Sequence, residues 1–366
     1  MLDIWRKYAE VLVNYSVGVK KNQVVIIRTM DIAQPLVKRV YEEVLKVGAY
    51  PLLRITLDGI TDSYYKYATD EQLDYIDDFT KLEYEKADAF VSIGAPHNLK
   101  NLVLVPPARL ARRSKATKDL MKIFLDRAAN KDLSWVGCDF PTNALAQEAK
   151  MSLDDYSDFL FNACHLYEDD PVAKWKEIHN TQQKIIDKIN GTNKIRVVGQ
   201  ETDITLSVEG RKWINCAGNN NFPDGEIFTS PVENSANGHI YFDMPAIYRG
   251  SESENIRLEF LNGKVVKATA QKGEEFFLSM IDQDNGARFL GEFAIGTNEN
   301  IQQITGNILF DEKIGGSIHM ALGASYPETG GNNESGLHWD LIKNMKAGGQ
   351  IFADDKLIYE NGKFLI

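Results

Sequence analysis

The chain has 366 residues, of which 43% are hydrophobic and 25% are charged, a balance typical of a globular protein long enough for two domains. Its formal net charge of −11 argues against nucleic acid as a partner, because proteins bind phosphates mainly through lysine and arginine. No apolar run approaches the roughly 20 residues of a membrane-spanning helix, and the charged start Met1–Lys7 does not resemble a signal peptide. We therefore expect no membrane partner and a cytoplasmic location.

Apolar runs and helical patterns alternate along the first half of the chain. Helical spacing predicts a helix at the start, and short apolar runs predict buried strands at Val24–Ile27, Pro51–Ile55, Ala89–Gly94 and near Trp135, with helical segments between them. This alternation predicts an α/β domain with an open, mostly parallel sheet. The sequence has no glycine-rich phosphate-binding fingerprint after any of these strands, which disfavours a nucleotide-dependent oxidoreductase.

The pattern changes after about residue 190. Helical patterns cover 143–166 and 172–189, and later segments alternate apolar and polar residues as half-buried strands do. Asn262-Gly263 and Asn361-Gly362 are each flanked by apolar residues, as in hairpins with type I′ turns. We predict an α/β domain at residues 1–190 and an α+β domain rich in antiparallel strands at residues 191–366.

The three cysteines, Cys138, Cys164 and Cys216, are widely spaced and form no Cys-x-x-Cys pair. Neither a disulfide framework nor a thiolate zinc site is indicated, so we predict small, buried thiols in a reducing compartment.

Two of the six histidines occur near the end of the chain, beside residues able to bind a metal. In His338-Trp339-Asp340, the imidazole and the carboxylate would point to the same face of a strand, an arrangement suited to Zn²⁺, Mn²⁺ or Co²⁺. A hydrogen-bonded pair with a structural role explains the same pattern. His319 lies in an apolar, glycine-flanked segment, where a buried core histidine is the alternative reading.

Two glutamates complete the candidate set. Glu226 follows a Pro-Asp-Gly turn, and Glu292 is the only charged residue in the apolar stretch Phe289–Gly296, where it either faces solvent or is buried against a cation. Three carboxylates and two imidazoles exceed the usual protein ligands of one zinc ion but match two ions that share a bridging carboxylate. Tyr326 could donate a hydrogen bond to an oxyanion, although an isolated tyrosine often serves packing.

Several of these segments, in the same order, resemble the M29 family of metallo-aminopeptidases. The resemblance extends over essentially the whole chain. It is carried most specifically by 223–231, 291–298, 312–326 and His338-Trp339-Asp340.

The resemblance implies a homodimeric exopeptidase that removes N-terminal residues with two divalent ions per subunit, zinc, cobalt or manganese. By position, Glu226, Glu292, His319, His338 and Asp340 match the family's metal residues. The resemblance further implies that Glu292 also accepts a proton from water, that Tyr326 assists catalysis and that Glu312 is a possible further ligand. A peptide with a free N-terminus is the expected substrate. A dinuclear hydrolase of a non-peptide amide and a non-catalytic two-domain binding protein remain the alternatives.

Overall fold

Parallel strands early in the chain and antiparallel strands later in it form separate sheets. The computed structural model describes residues 2–366, with side chains from residue 3 onwards. The first unit runs to Lys174 and includes Gly218–Pro223, and the second unit consists of Trp175–Ala217 and Asp224–Ile366. The predicted division at residue 190 stays a prediction.

Most of the helices lie in the first unit, and the second unit contains two short helices and most of the longest described one. In chain order they are α1 (Leu2–Glu10), α2 (Gln34–Val47), α3 (Ile60–Tyr67), α4 (Asp70–Asp74), α5 (Asp78–Lys86), α6 (Pro107–Ala116), α7 (Lys118–Ala129), α8 (Asn143–Glu148), α9 (Leu153–Ala163), α10 (Pro171–Ile189), α11 (Glu274–Ile281) and α12 (Ile308–Asp311).

The strands are mostly four to seven residues long. In chain order they are β1 (Val24–Met30), β2 (Tyr50–Thr56), β3 (Ala89–Gly94), β4 (Ser134–Asp139), β5 (Lys194–Gly199), β6 (Thr202–Ser207), β7 (Ile214–Cys216), β8 (Asn221–Phe222), β9 (Glu226–Thr229), β10 (Asn237–Phe242), β11 (Ala246–Tyr248), β12 (Ser251–Ser253), β13 (Ile256–Leu261), β14 (Lys264–Thr269), β15 (Leu290–Gly296), β16 (Ser317–Gly323), β17 (His338–Asn344), β18 (Gln350–Ala353), β19 (Lys356–Glu360) and β20 (Lys363–Phe364).

The first unit contains a five-stranded sheet in the order β2-β1-β3-β4-β8, and all of its pairs are parallel. This confirms the predicted parallel sheet. The apolar run of β1 is buried, as expected for a strand covered on both faces. The sequence patterns did not reveal β8, because a strand of two residues carries no periodicity.

The second unit contains two large antiparallel sheets and a two-stranded one, formed by β11 and β12, which confirms the predicted fold class. The larger of the two has the order β14-β13-β10-β6-β5-β18-β19-β20, and the other has the order β17-β16-β15-β9-β7. Asn262 and Gly263 both have positive φ angles, as do Asn361 and Gly362, so both hairpin turns agree with the predicted type I′ geometry.

Alternation along the strands of the five-stranded antiparallel sheet separates a core face from a polar face. Every second residue joins one apolar cluster that also includes residues of the eight-stranded sheet. The core-facing residues of β9, β15, β16 and β17 are Ile227, Leu290, Phe293, Ile295, Ile318, Met320, Leu322, Trp339 and Leu341. The residues between them therefore point to the opposite face.

The sequence predictions about membrane-spanning helices and about the cysteines can also be compared with the structure. Within residues 2–366, no helix is long and apolar enough to span a bilayer. None of the three cysteines forms a disulfide; Cys138 and Cys164 are buried, as predicted, and Cys216 is partly buried.

A β-bulge at Gly291 sets which side chain of β15 faces the polar side. Pairing with β16 passes from Leu290↔Leu322 to Glu292↔Ala321, so that Leu290 lies in the core while Glu292 points to the other face. A Cβ at Gly291 would lie 2.1 Å from the carbonyl oxygen of Ala324. Only glycine permits this close approach of two backbone segments.

We expect Gly291→Ala to lower the free energy of unfolding by at least about 1–3 kcal/mol, because the new methyl group would collide with backbone that cannot rotate away. Gly137→Ala is the matched control, since a Cβ at this strand glycine would have no neighbour closer than 3.9 Å. Denaturant unfolding of both variants measures the difference. Equal stability of the two variants would contradict the proposed role of the bulge.

Candidate metal centre

Four neighbouring strands direct the predicted metal residues to one face of the sheet. Glu226 begins β9, Glu292 lies on β15, His319 lies on β16, and His338 and Asp340 lie on β17. All alternate with core residues, so the sheet's pleat places the five side chains together.

Alanines between these side chains keep the centre open. Ala321 pairs with Glu292 on one side and with Asp340 on the other, and Ala294 pairs with His319. A larger residue at either position would occupy the space between the carboxylates and the imidazoles.

Glu292 lies between the two imidazoles. Its Oε1 is 3.5 Å from Nε2 of His319, and its Oε2 is 3.3 Å from Nε2 of His338. Nε2 of His319 also lies 3.4 Å from Oε2 of Glu226, and Nε2 of His338 lies 3.6 Å from Oδ1 of Asp340. The arrangement therefore has two halves that share one carboxylate.

The ligand-type atoms are close enough to share cations. Glu226, Glu292 and His319 each offer an atom within 4.8 Å of the others, and so do Glu292, His338 and Asp340. Glu312 meets the same criterion together with His319 and Asp340. All five predicted metal residues, and Glu312, thus belong to overlapping groups of possible ligands.

Buried polar atoms without hydrogen-bond partners indicate that this centre suits a divalent cation. Within residues 2–366, the buried atoms without a hydrogen-bond partner include Oε2 of Glu226, Nδ1 of His319 and Oδ1 of Asp340. Leaving such atoms unpaired is costly, and buried polar groups normally have partners. Carboxylate oxygens and imidazole nitrogens are the donors that zinc, manganese and cobalt accept.

The electrostatics of the protein alone favour added positive charge. Burial lowers the pKa of His338, but Asp340 and Glu292 raise it to about 12, and Glu292 and Glu226 raise that of His319 to about 9 against the effect of burial. Burial raises the pKa of Glu226 to about 8, although Lys313 and His319 favour its charged form. Without another cation, Glu226 therefore retains a proton near neutral pH and both imidazoles are protonated.

The backbone fixes which nitrogen of His338 faces the centre. Nδ1 of His338 donates a hydrogen bond to the carbonyl oxygen of Ala324, 2.8 Å away, so Nε2 is directed towards Glu292 and Asp340. Metal-binding histidines commonly use the second nitrogen in this way.

Tyr326 lies at the open side of the cluster. Its hydroxyl is 3.5 Å from Nε2 of His338, its ring packs 5.2 Å from that of Phe228, and 37% of the residue is exposed. Burial, followed by nearby carboxylates such as Glu292 and Asp340, raises the pKa of Tyr326 above its usual value. The hydroxyl therefore stays protonated and can act as a donor.

Sequence reasoning missed two buried residues behind Glu226. Nζ of Lys313 lies 2.5 Å from Oε1 of Glu226 and 2.5 Å from Oε1 of Glu312, and this lysine is 1% exposed. Gln182 of α10 donates hydrogen bonds to the backbone carbonyls of Glu226, at 2.9 Å, and of Cys216, at 3.0 Å. The adjacent Glu312-Lys313 pair suggests an exposed charged turn, and Gln182 lies in an ordinary helical pattern, so neither position stands out.

The fold and this cluster of donors define a metal-dependent hydrolase. A family model described as thermophilic metalloprotease (M29) matches residues 3–364, and the chain belongs to that family. The predicted resemblance is thereby confirmed.

Several characterised relatives match most of the chain. Aminopeptidase 2 of Geobacillus stearothermophilus is 27% identical over 350 residues, covering 88% of this chain and 83% of the relative. Aminopeptidase AmpS of Bacillus subtilis (strain 168) is 26% identical and covers 98% of this chain and 97% of the relative. The structure of wild-type AmpT from Thermus thermophilus superposes with a TM-score of 0.86 at 22% identity, over 99% of both chains, and thus shares the fold.

We expect a divalent cation to raise the melting temperature of the wild-type protein by several degrees, because a ligand at about 100 times its dissociation constant stabilises a fold by about 2.7 kcal/mol. His319→Gln should lose most of this increase. The exposed His239 on β10 provides the control His239→Gln, which should respond to the cation like the wild type. Differential scanning calorimetry with and without cobalt measures the effect; equal increases in all three proteins would refute this site.

Proposed function

We propose that this chain is a metallo-aminopeptidase with a dinuclear site, which removes N-terminal residues from peptides. The observation that carries the proposal is the position of Glu292, whose two oxygens face different imidazoles. This is the arrangement expected of a carboxylate that bridges two ions. The names of the relatives Aminopeptidase 2 and Aminopeptidase AmpS support the substrate class.

The charge of the cluster agrees with two ions. Its carboxylates are Asp224, Glu226, Glu292, Glu312 and Asp340. Lys313 balances one of these five negative charges, and two divalent ions would balance the other four. Buried charges of one sign are stable only with such compensation.

The assigned ligands are Glu226, Glu292, His319, His338 and Asp340, with Glu312 as a further candidate. Divalent ions held there would supply an activated water and polarise the scissile carbonyl. Zinc, cobalt and manganese all suit this donor set, which mixes carboxylate oxygens with imidazole nitrogens.

The chain's own side chains would manage the protons of the reaction. Burial raises the pKa of Glu292, but hydrogen bonds from His319 and His338 lower it below its usual value, so the carboxylate is charged. We assign Glu292 the acceptance of a proton from the attacking water and its delivery to the leaving amine. Tyr326 would donate a hydrogen bond to the tetrahedral oxyanion.

Restriction to the N-terminus would come from recognition of the free α-amino group of the substrate. An individual carboxylate of the cluster would bind it as an ammonium group, or a bound ion would bind it as an amine, and an internal peptide bond offers neither form. A hydrolase for a non-peptide amide would share the ligands but would not require this ammonium group. A non-catalytic binding protein would have no use for the charged Glu292.

We expect the protein to hydrolyse a peptide with a free N-terminus and to leave its N-acetylated form intact. Chelation should abolish the activity, and cobalt, zinc or manganese should restore it. Glu292→Gln should lower kcat by about 10²–10⁴-fold, because the amide cannot accept the proton, whereas the exposed Glu275→Gln should be unaffected. Time courses of product formation, followed by mass spectrometry, measure each of these results; equal cleavage of the acetylated peptide would disprove the aminopeptidase assignment.

We further propose that the protein is a homodimer that works in the reducing cytoplasm, where its three cysteines stay reduced. β2 is an edge strand of the parallel sheet, and its residues Tyr50, Leu52, Leu53 and Ile55 are exposed. An apolar edge of this kind favours pairing with another chain.

The dimer proposal predicts a sedimenting species of twice the 41.2 kDa chain mass. The double substitution Leu52→Lys/Ile55→Lys should shift it to the monomer by placing charges on the exposed edge. Lys38→Glu changes a charge elsewhere in the first unit and should leave the mass unchanged. A monomeric wild type across micromolar concentrations would refute the proposal.

A further inference from the structure

Two lysines are almost fully buried in the described part of the chain, and they have different surroundings. Nζ of Lys343 donates to the backbone carbonyls of Gln200 and Tyr241, at 3.2 and 2.9 Å. Lys313 is equally buried, at 1% exposure, but its ammonium group contacts the side chains of Glu226 and Glu312. A buried lysine costs free energy, so its contacts with candidate metal ligands call for a role.

We propose that Lys313 is a positioning residue of the metal centre, which holds Oε1 of Glu226 and Oε1 of Glu312 and so reserves Oε2 of Glu226 for a metal ion. The inference rests on the proposed metallo-aminopeptidase function. It adds a residue that does not itself bind the ions but determines how two carboxylates can.

The two oxygens of Glu226 have different surroundings. Oε1 is engaged by Lys313 at 2.5 Å, whereas Oε2 has no hydrogen-bond partner within residues 2–366 and lies 3.4 Å from Nε2 of His319. A carboxylate free to rotate would exchange its oxygens. The lysine removes that freedom, so the unpaired oxygen points towards His319.

The backbone around Lys313 is itself fixed. Its carbonyl oxygen accepts a hydrogen bond from the Asn298 amide at 3.1 Å, and its own amide donates to Phe310 at 3.0 Å. The side chain of Asn298 donates to the carbonyl oxygen of Asp224 at 2.8 Å. The segment before Glu226 and the turn that carries Lys313 are therefore linked through one asparagine.

The direction in which metal affinity changes on removal of Lys313 distinguishes a positioning role from a purely electrostatic one. A fixed positive charge repels a divalent cation, so removal of a lysine that acted only through its charge would tighten metal binding. Removal of a residue that orients a metal ligand instead weakens binding, typically by about 10–100-fold.

The experiment compares cobalt affinity, by equilibrium competition with a chromophoric chelator, in the wild type, Lys313→Met and Lys343→Met. We expect Lys313→Met to bind cobalt about 10–100-fold more weakly than the wild type. Lys343→Met also removes a buried lysine, but one held by backbone carbonyls, and should retain wild-type affinity. Unchanged or tighter binding by Lys313→Met would overturn the inference.

A second variant keeps the test decisive if Lys313→Met does not fold. Lys313→Met/Asp224→Asn removes one carboxylate together with the lysine, so the net charge of the cluster is preserved. Positioning predicts weaker cobalt binding by this double variant, and a charge effect predicts wild-type affinity. A wild type that binds no cobalt would instead refute the proposed function, so the two failures are distinguishable.

Discussion

Crowded, mostly buried carboxylates are the constraint on which the second unit depends. Asp224, Glu226, Glu292 and Asp340 are all less than a tenth exposed, and Glu312 lies beside them. Such a group cannot remain charged in a protein interior without cations. The chain supplies one cation of its own, Lys313, and the raised pKa values of the two histidines show that the rest of the centre also attracts positive charge.

The sheet makes this concentration of charge compatible with a stable fold. Strands β9, β15, β16 and β17 bury apolar side chains on one face and carry the candidate metal ligands on the other. The residues whose burial stabilises the unit are therefore the sequence neighbours of the candidate ligands. The bulge at Gly291 is the one departure from simple alternation, and it places both Leu290 and Phe293 in the core while Glu292 faces the histidines. Core packing and site geometry are therefore two consequences of one strand register.

Glu292 is the residue on which the proposed chemistry depends. Because its oxygens face His319 and His338 separately, it connects the two halves of the centre, and its lowered pKa keeps it charged. A ligand must stay charged, whereas a base must accept a proton during the reaction. In the proposed mechanism Glu292 fills the two roles one after the other, because His319 and His338 stabilise the charged form to which it would return after passing the proton to the leaving amine.

Residue spacing predicts features that lie within single strands and turns, but it does not predict contacts between residues that are far apart in the chain. The parallel and antiparallel sheets, both hairpin turns and the shared face of His338 and Asp340 follow from residue spacing, and the spacing rules operate within single strands. The distances between strands cannot be obtained in this way, so the residue types only allowed Glu226 and His319 to share a site, and the resemblance to a known family then assigned both to its metal residues. Lys313 shows the limit most clearly. Next to Glu312 it has the pattern of a solvated charged turn, and only the carboxylate of Glu226, 87 positions earlier in the chain, makes it a buried counter-ion.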